Sequence, residues 1–262
     1  YHLKGSFALE TLAITLFIST YILLLLLPRF RAHVALLSAT AFVLTGIIPL
    51  NQVWGVVHWN VILMIAGTMG IVALFIDSRM PARLADLILE KTPSVRWAIV
   101  ALSLFSGIIS AFVDNVATVL IVAPVAMSVA KKQGISPVNS VIAVAIASNL
   151  QGAATLVGDA TSILLGAHAN LDFLDFFFVQ GRIGIFWVVQ AGAVAATAIL
   201  YWVLRSTKGE VKPQNRTPVE DYFPSYLLLG MVVLLILVSF IADKPEITNG
   251  LICVGLFAMG LV

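Results

Sequence analysis

Two of the thirteen acidic residues, Asp114 and Asp159, lie deep in apolar sequence at points where a helix must break. A charge at bilayer mid-depth costs a few kcal/mol even on lenient scales, so such a residue faces a pathway or pairs with another group. The plain alternative for Asp114 is a cap on a helix starting near Val116. For Asp159 it is a loop carboxylate in water. Around these two positions cluster Asn115, Thr118, Asn149, Gln151, Thr155, Thr161 and Ser162. Singly, such residues are ordinary glue between membrane helices. Gathered at two breaks, their oxygens suit a hard cation such as sodium. Asp114, Asn115 and Asn149 form the candidate sodium set. Ala117, Gly152 and Gly158 belong to the same stretches and are counted with the site.

A broken helix contributes backbone as well as side chains. One helix end leaves carbonyls unpaired and the next helix start leaves amides unpaired. The carbonyl end attracts cations and the amide end attracts anions. The sequence around the breaks thus offers both kinds of ligand.

The rest of the chain must hold these residues inside a membrane. Of 262 residues, 60% are hydrophobic and 11% charged, against about 25% charged in soluble domains. Apolar runs recur at 7–27, 32–50, 61–76, 183–204 and 226–242, and a further run begins at 251. About 20 apolar residues cross a bilayer core. The first run ends in Pro28, Arg29 and Arg31 without a small-residue cleavage site, so it reads as a retained anchor. Trp54, His58 and Trp59 suit an interface. Residues 81–91 alternate Leu84, Leu87 and Ile88 with Arg83, Asp86 and Glu90, either an amphipathic interfacial helix or a solvated connector. Residues 171–178 read as an amphipathic connector, and 206–225 as a polar, proline-containing loop. One cysteine, Cys253, excludes an internal disulfide and a thiol-rich metal site. Neither H-E-x-x-H nor G-x-S-x-G occurs, and no histidine falls within either break, which argues against an intramembrane enzyme.

Residues 97–130 make a segment of about 34 residues with Asp114 and Asn115 at its middle, too long for one span. It can form two short crossings or a re-entrant hairpin. With the amino terminus outside, both place Arg29, Arg31, Arg79, Arg83, Lys91, Arg96, Lys131, Lys132, Arg205, Lys208, Lys212 and Arg216 in the cytoplasm. That is 12 of 15 basic residues, which satisfies the positive-inside rule. A single crossing would invert every later loop. Arms of about 17 residues, shorter than a span, and the lack of an outer loop favour the hairpin. The stretch 153–162 after the helix 138–150 reads as a helix break, tolerated at membrane depth only where it lines a cavity or is buried in protein.

Ser110-Ala-Phe-Val-Asp-Asn-Val-Ala-Thr118 resembles the hairpin-tip motif of the ion transporter superfamily. Ala147-Ser-Asn-Leu-Gln-Gly-Ala-Ala-Thr-Leu-Val-Gly-Asp159 resembles the motif that follows that hairpin. The superfamily includes NhaD-type sodium/proton antiporters, ArsB-type arsenite permeases, citrate transporters and dicarboxylate/sodium symporters. The resemblance covers roughly residues 61–204. Its members usually continue Gly-Asp with Pro-Pro-Asn, whereas Asp159 is followed by Ala160, Thr161 and Ser162, which leaves the substrate open. It implies an all-α membrane fold of two inverted repeats, each with a re-entrant hairpin and a broken helix. It also implies a homodimer in which a transport domain moves against a scaffold.

The expected organisation is scaffold helices over 1–91 (three spans plus the interfacial helix) and a transport-domain repeat over 92–204. A cytoplasmic loop follows over 205–225, and 226–262 begins a second repeat. The working unit is expected to be longer than this chain. The expected function is secondary active transport of a small ion, coupled to sodium or protons. An arsenite or carboxylate permease is the alternative, and an ion channel a further one. Arsenite favours thiols, and Cys253 lies outside both motifs. No cofactor beyond the coupling ion and no nucleic-acid partner is expected. The lipid bilayer is the expected environment, in a bacterial-type plasma membrane.

Overall fold

The computed structural model describes residues 2–132, 136–207, 209, 216–241 and 243–261. Twelve α-helices run through the described residues. The chain divides into two compact units, residues 1–58 and 59–262.

In the smaller unit, α1 (His2–Leu26) and α2 (Arg31–Leu44) form an antiparallel pair around Pro28. The hydroxyls of Thr20 and Ser38 meet at 2.5 Å across it. The run expected over 32–50 is helical only to Leu44, and a turn and the short α3 (Val53–Val56) follow.

The larger unit contains α4 (Trp59–Asp77), α5 (Met80–Glu90), α6 (Val95–Ser110), α7 (Asn115–Lys132), α8 (Val138–Gly152), α9 (Ala160–Ala169), α10 (Ile185–Val203), α11 (Phe223–Val238) and α12 (Thr248–Gly260). Among the described residues, three segments are long and apolar enough to cross a membrane: Leu9–Leu26, Trp59–Asp77 and Ile185–Ser206. Both arms around Asp114, α6 and α7, fall short of that. They turn back on each other within four residues, 111–114, and pack together. Pro124 inside α7 has no N–H to give the carbonyl one turn back.

The residues expected to form the amphipathic helix do so as α5. Ala85 and Leu89 join α6, α7 and Val144 in one apolar cluster. Its polar face is covered by part of the segment read from sequence as a polar cytoplasmic loop. Thr217 donates to the buried Asp86 carboxylate from both its backbone N (2.8 Å) and its hydroxyl (2.6 Å). Arg216 donates to both oxygens of Glu90. Glu220 pairs with Arg79 at 2.9 Å, and its backbone N donates to the Ser78 carbonyl. This strap, residues 216–220, satisfies a carboxylate that would be costly to bury alone.

Helices α4 and α12 lie parallel and in close contact. A Cβ on Gly67 would run into the Cys253 backbone, and one on Gly70 into the Phe257 ring. The Gly250 backbone N donates to Asn60 Oδ1 at 2.7 Å. Lipid tails are as apolar as leucine, so close packing through small residues is what holds two such helices together. Among the described residues the regular structure is helical apart from a two-stranded hairpin, Phe178–Val179 with Arg182–Ile183. It joins the end of the segment expected to be an amphipathic connector, 171–178, to the start of the apolar run expected from 183. Lys244 pairs with Asp172 beside it at 2.5 Å.

Candidate functional site

Four helix ends meet where the two breaks lie together. The α6 and α8 ends bring carbonyls, and the α7 and α9 starts bring amides. Each start is capped by the carboxylate before it. Asp114 Oδ1 accepts from the backbone N of Val116 and of Ala117, both at 3.0 Å. Asp159 Oδ1 accepts from Thr161 N at 3.0 Å, and its carbonyl from Ser162 N. Asp159 is therefore a helix cap, where the sequence suggested a loop carboxylate in water as its plain role. Capping uses one oxygen of each carboxylate.

The two breaks are stitched together by polar groups. Ser148, buried on α8, lies 3.0 Å from the Ser110 hydroxyl and 2.9 Å from the Asn115 carbonyl. Asn115 Nδ2 donates to Asn149 Oδ1 at 2.9 Å, and Asn149 Nδ2 donates to the Ala145 carbonyl. The Thr155 hydroxyl donates to the Ala111 carbonyl. Gly158 lies in the midst of these groups. A Cβ there would come within 2.5 Å of the Gly152 carbonyl oxygen and 2.8 Å of those of Ala111 and Ser110. Real side chains do not approach that closely, so glycine lets the break close on the tip. A Cβ on Gly152 would face the Ser110 hydroxyl, Asn115 and Asp159 at 3.6–3.7 Å.

Asp114 and Asp159 also share a cleft of about 20 Å³ with Gly158 and, from α4, Thr68 and Met69, room for about one water or a small ion. Thr118, one turn beyond Asp114, is fully buried, and its hydroxyl has no partner among the described residues. Among those residues no three His, Cys, Asp or Glu come together. The oxygens on offer are thus two carboxylates, amide and hydroxyl groups, and helix-end carbonyls, a hard-cation set.

The structure brings together Asp114, Asn115, Ala117, Asn149, Gly152, Thr155, Gly158, Asp159, Thr161 and Ser162 at the joined breaks. Gln151 turns away toward α10, where it and Gln190 exchange hydrogen bonds of 3.0 and 2.9 Å. Ser110, Ser148 and Thr68 were not singled out from sequence. The serines flank the chosen residues inside both quoted motifs. Thr68 carries no local signal, because only tertiary packing brings α4 to the cleft.

Residues 21–262 match the family model described as citrate transporter. An uncharacterized transporter of Mycobacterium tuberculosis is 29% identical over 246 residues, covering 89% of this chain and 56% of its own length. A 46 kDa membrane protein of Mycobacterium leprae is 30% identical over 268 residues, covering 97% of this chain and 61% of its own. The magnetosome protein MamN of Paramagnetospirillum magneticum is 34% identical over 152 residues, 55% of this chain and 35% of that protein. The chain thus spans 56–61% of the first two relatives' length. The match covers both helix breaks and extends far beyond the two motifs, and it agrees with the resemblance to the ion transporter superfamily. The chain belongs to the citrate transporter family and is a multi-pass membrane protein.

Proposed function

We propose that the protein is a secondary active transporter that moves a small carboxylate anion with a coupling cation, sodium or proton, at the joined helix breaks. The observation that carries this reading is the pairing of Asp114 and Asp159 at one cleft among helix-end carbonyls. A site so rich in negative charge needs a cation before it can accept an anion. The family's description supplies the carboxylate half of the proposal. With the first-turn amides of α7 and α9 taken by the two aspartates, the side chains of Asn115, Asn149 and Thr161 would supply donors to anionic oxygens once the cation is bound. Transport of the cation alone, as in an antiporter, rests on the same two carboxylates and is distinguished by the same experiment.

In this reading α6 and α7 are a re-entrant hairpin and α8–α9 a broken helix of one repeat in an inverted-repeat dimer. The transport domain, 92–204, moves against the scaffold, 1–91, in an elevator-like cycle, with the amino terminus outside. The test is flux by the full gene product in liposomes, with citrate, a dicarboxylate, arsenite and sodium offered under imposed sodium and proton gradients. Saturable citrate or dicarboxylate uptake that collapses with the cation gradient is expected. Cation flux without any carboxylate would select the antiporter. Flux that never saturates would mean a channel.

A further inference from the structure

Gln151 belongs to the second motif and yet turns its side chain away from the site. An α-helix turns about 100° per residue, so Ser148, Asn149 and Gly152 share an arc of about 100° on α8. That arc meets the joined breaks. Ser148 and Asn149 bond the hairpin tip there, and the Gly152 carbonyl oxygen is one of three that crowd Gly158. Gln151 lies about 200° from Asn149, almost on the opposite side of the helix. What it meets there is Gln190 of α10.

Gln190 is the one amide side chain in the apolar span 185–206. A polar group in such surroundings is costly unless another group satisfies it. The two amides exchange N–H···O bonds of 3.0 and 2.9 Å. Glue between membrane helices needs only one such bond. Two reciprocal bonds fix the orientation of both side chains as well as their separation. The stem of Gln151 is confined too. It passes α6 at Gly107, where a Cβ would come within 2.9 Å of Gln151 Cγ. The neighbour of Gln190 reaches further in. Val189 is buried in one apolar cluster with Ala111 of the hairpin turn and Ala154 of the second break. The start of α10 thus braces both breaks from behind, Val189 by packing and Gln190 by hydrogen bonds.

The last turn of α8 is therefore held on two sides, by Asn115 through Asn149 and by Gln190 through Gln151. Rotation of that turn about the helix axis would break both ties. It would also swing Asn149 and the Gly152 carbonyl out of the site together. Neither glutamine lines the cleft that Asp114 and Asp159 share, so their influence runs through the backbone of α8.

We propose that Gln190 is a positioning residue for ion binding; this rests on the transport site proposed above. Through Gln151 it fixes the rotation of the last turn of α8. It thereby places the Gly152 carbonyl offered to the coupling cation and the Asn149 amide beside it. Gln151 is then a tether, where the motif alone suggests a ligand.

The test uses the purified full gene product in liposomes. It reads the dependence of citrate uptake on the coupling cation, sodium or proton, beside the melting temperature. Gln190→Leu should raise the half-saturating cation concentration about fivefold, the weight of one ordinary hydrogen bond, with a smaller change in maximal rate. It should also lower the melting temperature, because the Gln151 amide is left buried without its partner. Gln151→Leu with Gln190→Leu removes both amides and should recover the melting temperature. The half-saturating concentration should stay high, because apolar contacts carry no fixed direction. Thr197→Val, whose hydroxyl donates to Ala193 of α10 itself, should change neither. A second measurement needs no transport. In a Cys253→Ala background, Asn115→Cys with Asn149→Cys reports the register of tip and α8 by its rate of oxidative disulfide formation. Adding Gln190→Leu should slow that rate several-fold. An unchanged rate, or wild-type cation dependence in the double-leucine variant, would overturn the proposal. If wild type shows no cation-driven uptake, the transport reading fails, and the disulfide rate still decides whether Gln190 positions α8.

Discussion

Asn115 Nδ2 donates to Asn149 Oδ1 at 2.9 Å, tying the first turn of α7 to the last turn of α8. Among the described residues the bond leaves Asn115 Oδ1 uncommitted, and Asn149 Nδ2 is held in turn by the Ala145 carbonyl. Asn115→Ala and Asn149→Ala are expected to weaken apparent substrate affinity at least about tenfold each while the protein still folds. The double variant should lose less than the sum, with a coupling of about 0.5–3 kcal/mol, as for residues in one network. A double-mutant cycle on transport affinity checks this, and strict additivity would mean the contact has no functional weight.

The two aspartates separate capping from charge. Asn caps a helix nearly as well as Asp, whereas Ala costs about 1 kcal/mol. Asp114→Asn should abolish coupled uptake with little change in melting temperature. Asp114→Ala should abolish uptake and also lower stability. The same pair at Asp159 should behave alike. Wild-type flux in either Asn variant would leave that carboxylate as a cap alone.

Gly158 permits no side chain, because a Cβ would press on three carbonyl oxygens at 2.5–2.8 Å. Gly158→Ala should cost about 1–3 kcal/mol, the usual range for overpacking, and should spread the breaks apart. Gly255, with open space around it, serves as the control: Gly255→Ala should be tolerated. Thermal unfolding in detergent compares them, and equal melting temperatures would contradict the close approach at Gly158.

The strap on α5 should be sensitive to acid. The hydrogen bond from Arg216 holds the Glu90 carboxyl below its usual range, against the opposing effect of burial. A depressed carboxyl contributes stability above its unfolded pKa of about 4.3, and that contribution is lost as pH falls through the lower, folded value. The hydrogen-exchange protection factors at residues 216–220, taken relative to the intrinsic rate at each pH, should therefore be high at neutral pH and drop as the pH falls below about 4.3. Arg216→Gln should make exchange fast at neutral pH and remove this acid step. An unchanged profile in that variant would exclude the pair as the holder.

The hairpin is tested by labelling in a Cys253→Ala background. Cysteines at Arg96 and Lys131 should both react from the cytoplasm. One at Ser110, buried at the tip, should react slowly and be protected by transported substrate. Fast reaction at Ser110 with a bulky impermeant reagent from outside would mean two full crossings.

Both helix breaks were legible because Asp, Asn and Gly interrupt apolar sequence, where an unpaired backbone is costly. Asp159 was legible as a break but not as a cap. Its Asp-x-Thr pattern is common, and whether a carboxylate meets a helix start or water depends on the backbone that follows. Asp86 looked like one polar residue among several on an amphipathic helix. Its burial needed the strap, and nothing local in residues 216–220 says that a proline-containing loop will dock. The hairpin at Gln180 and Gly181 was missed although both adopt positive φ, 49° and 75°, the signature of a tight two-residue turn. Strands of two residues leave too little alternation to read. Thr68 was beyond reach altogether, since its place at the cleft is set by contacts distant in sequence.

The lock between α4 and α12 has a consequence for how the protein is made. Asn60 and the Gly250 amide it holds are 190 residues apart, so α4 emerges from the ribosome long before its tightest neighbour exists. Until α12 arrives, Gly67 and Gly70 present a bare groove to lipid, and Thr68 lacks the packing that sets it against the cleft. The wall that α4 lends to Asp114 and Asp159 is thus locked in place only once α12 has been made. A nascent chain halted before residue 248 would carry every residue that lines the cleft, but not the helix that grips α4.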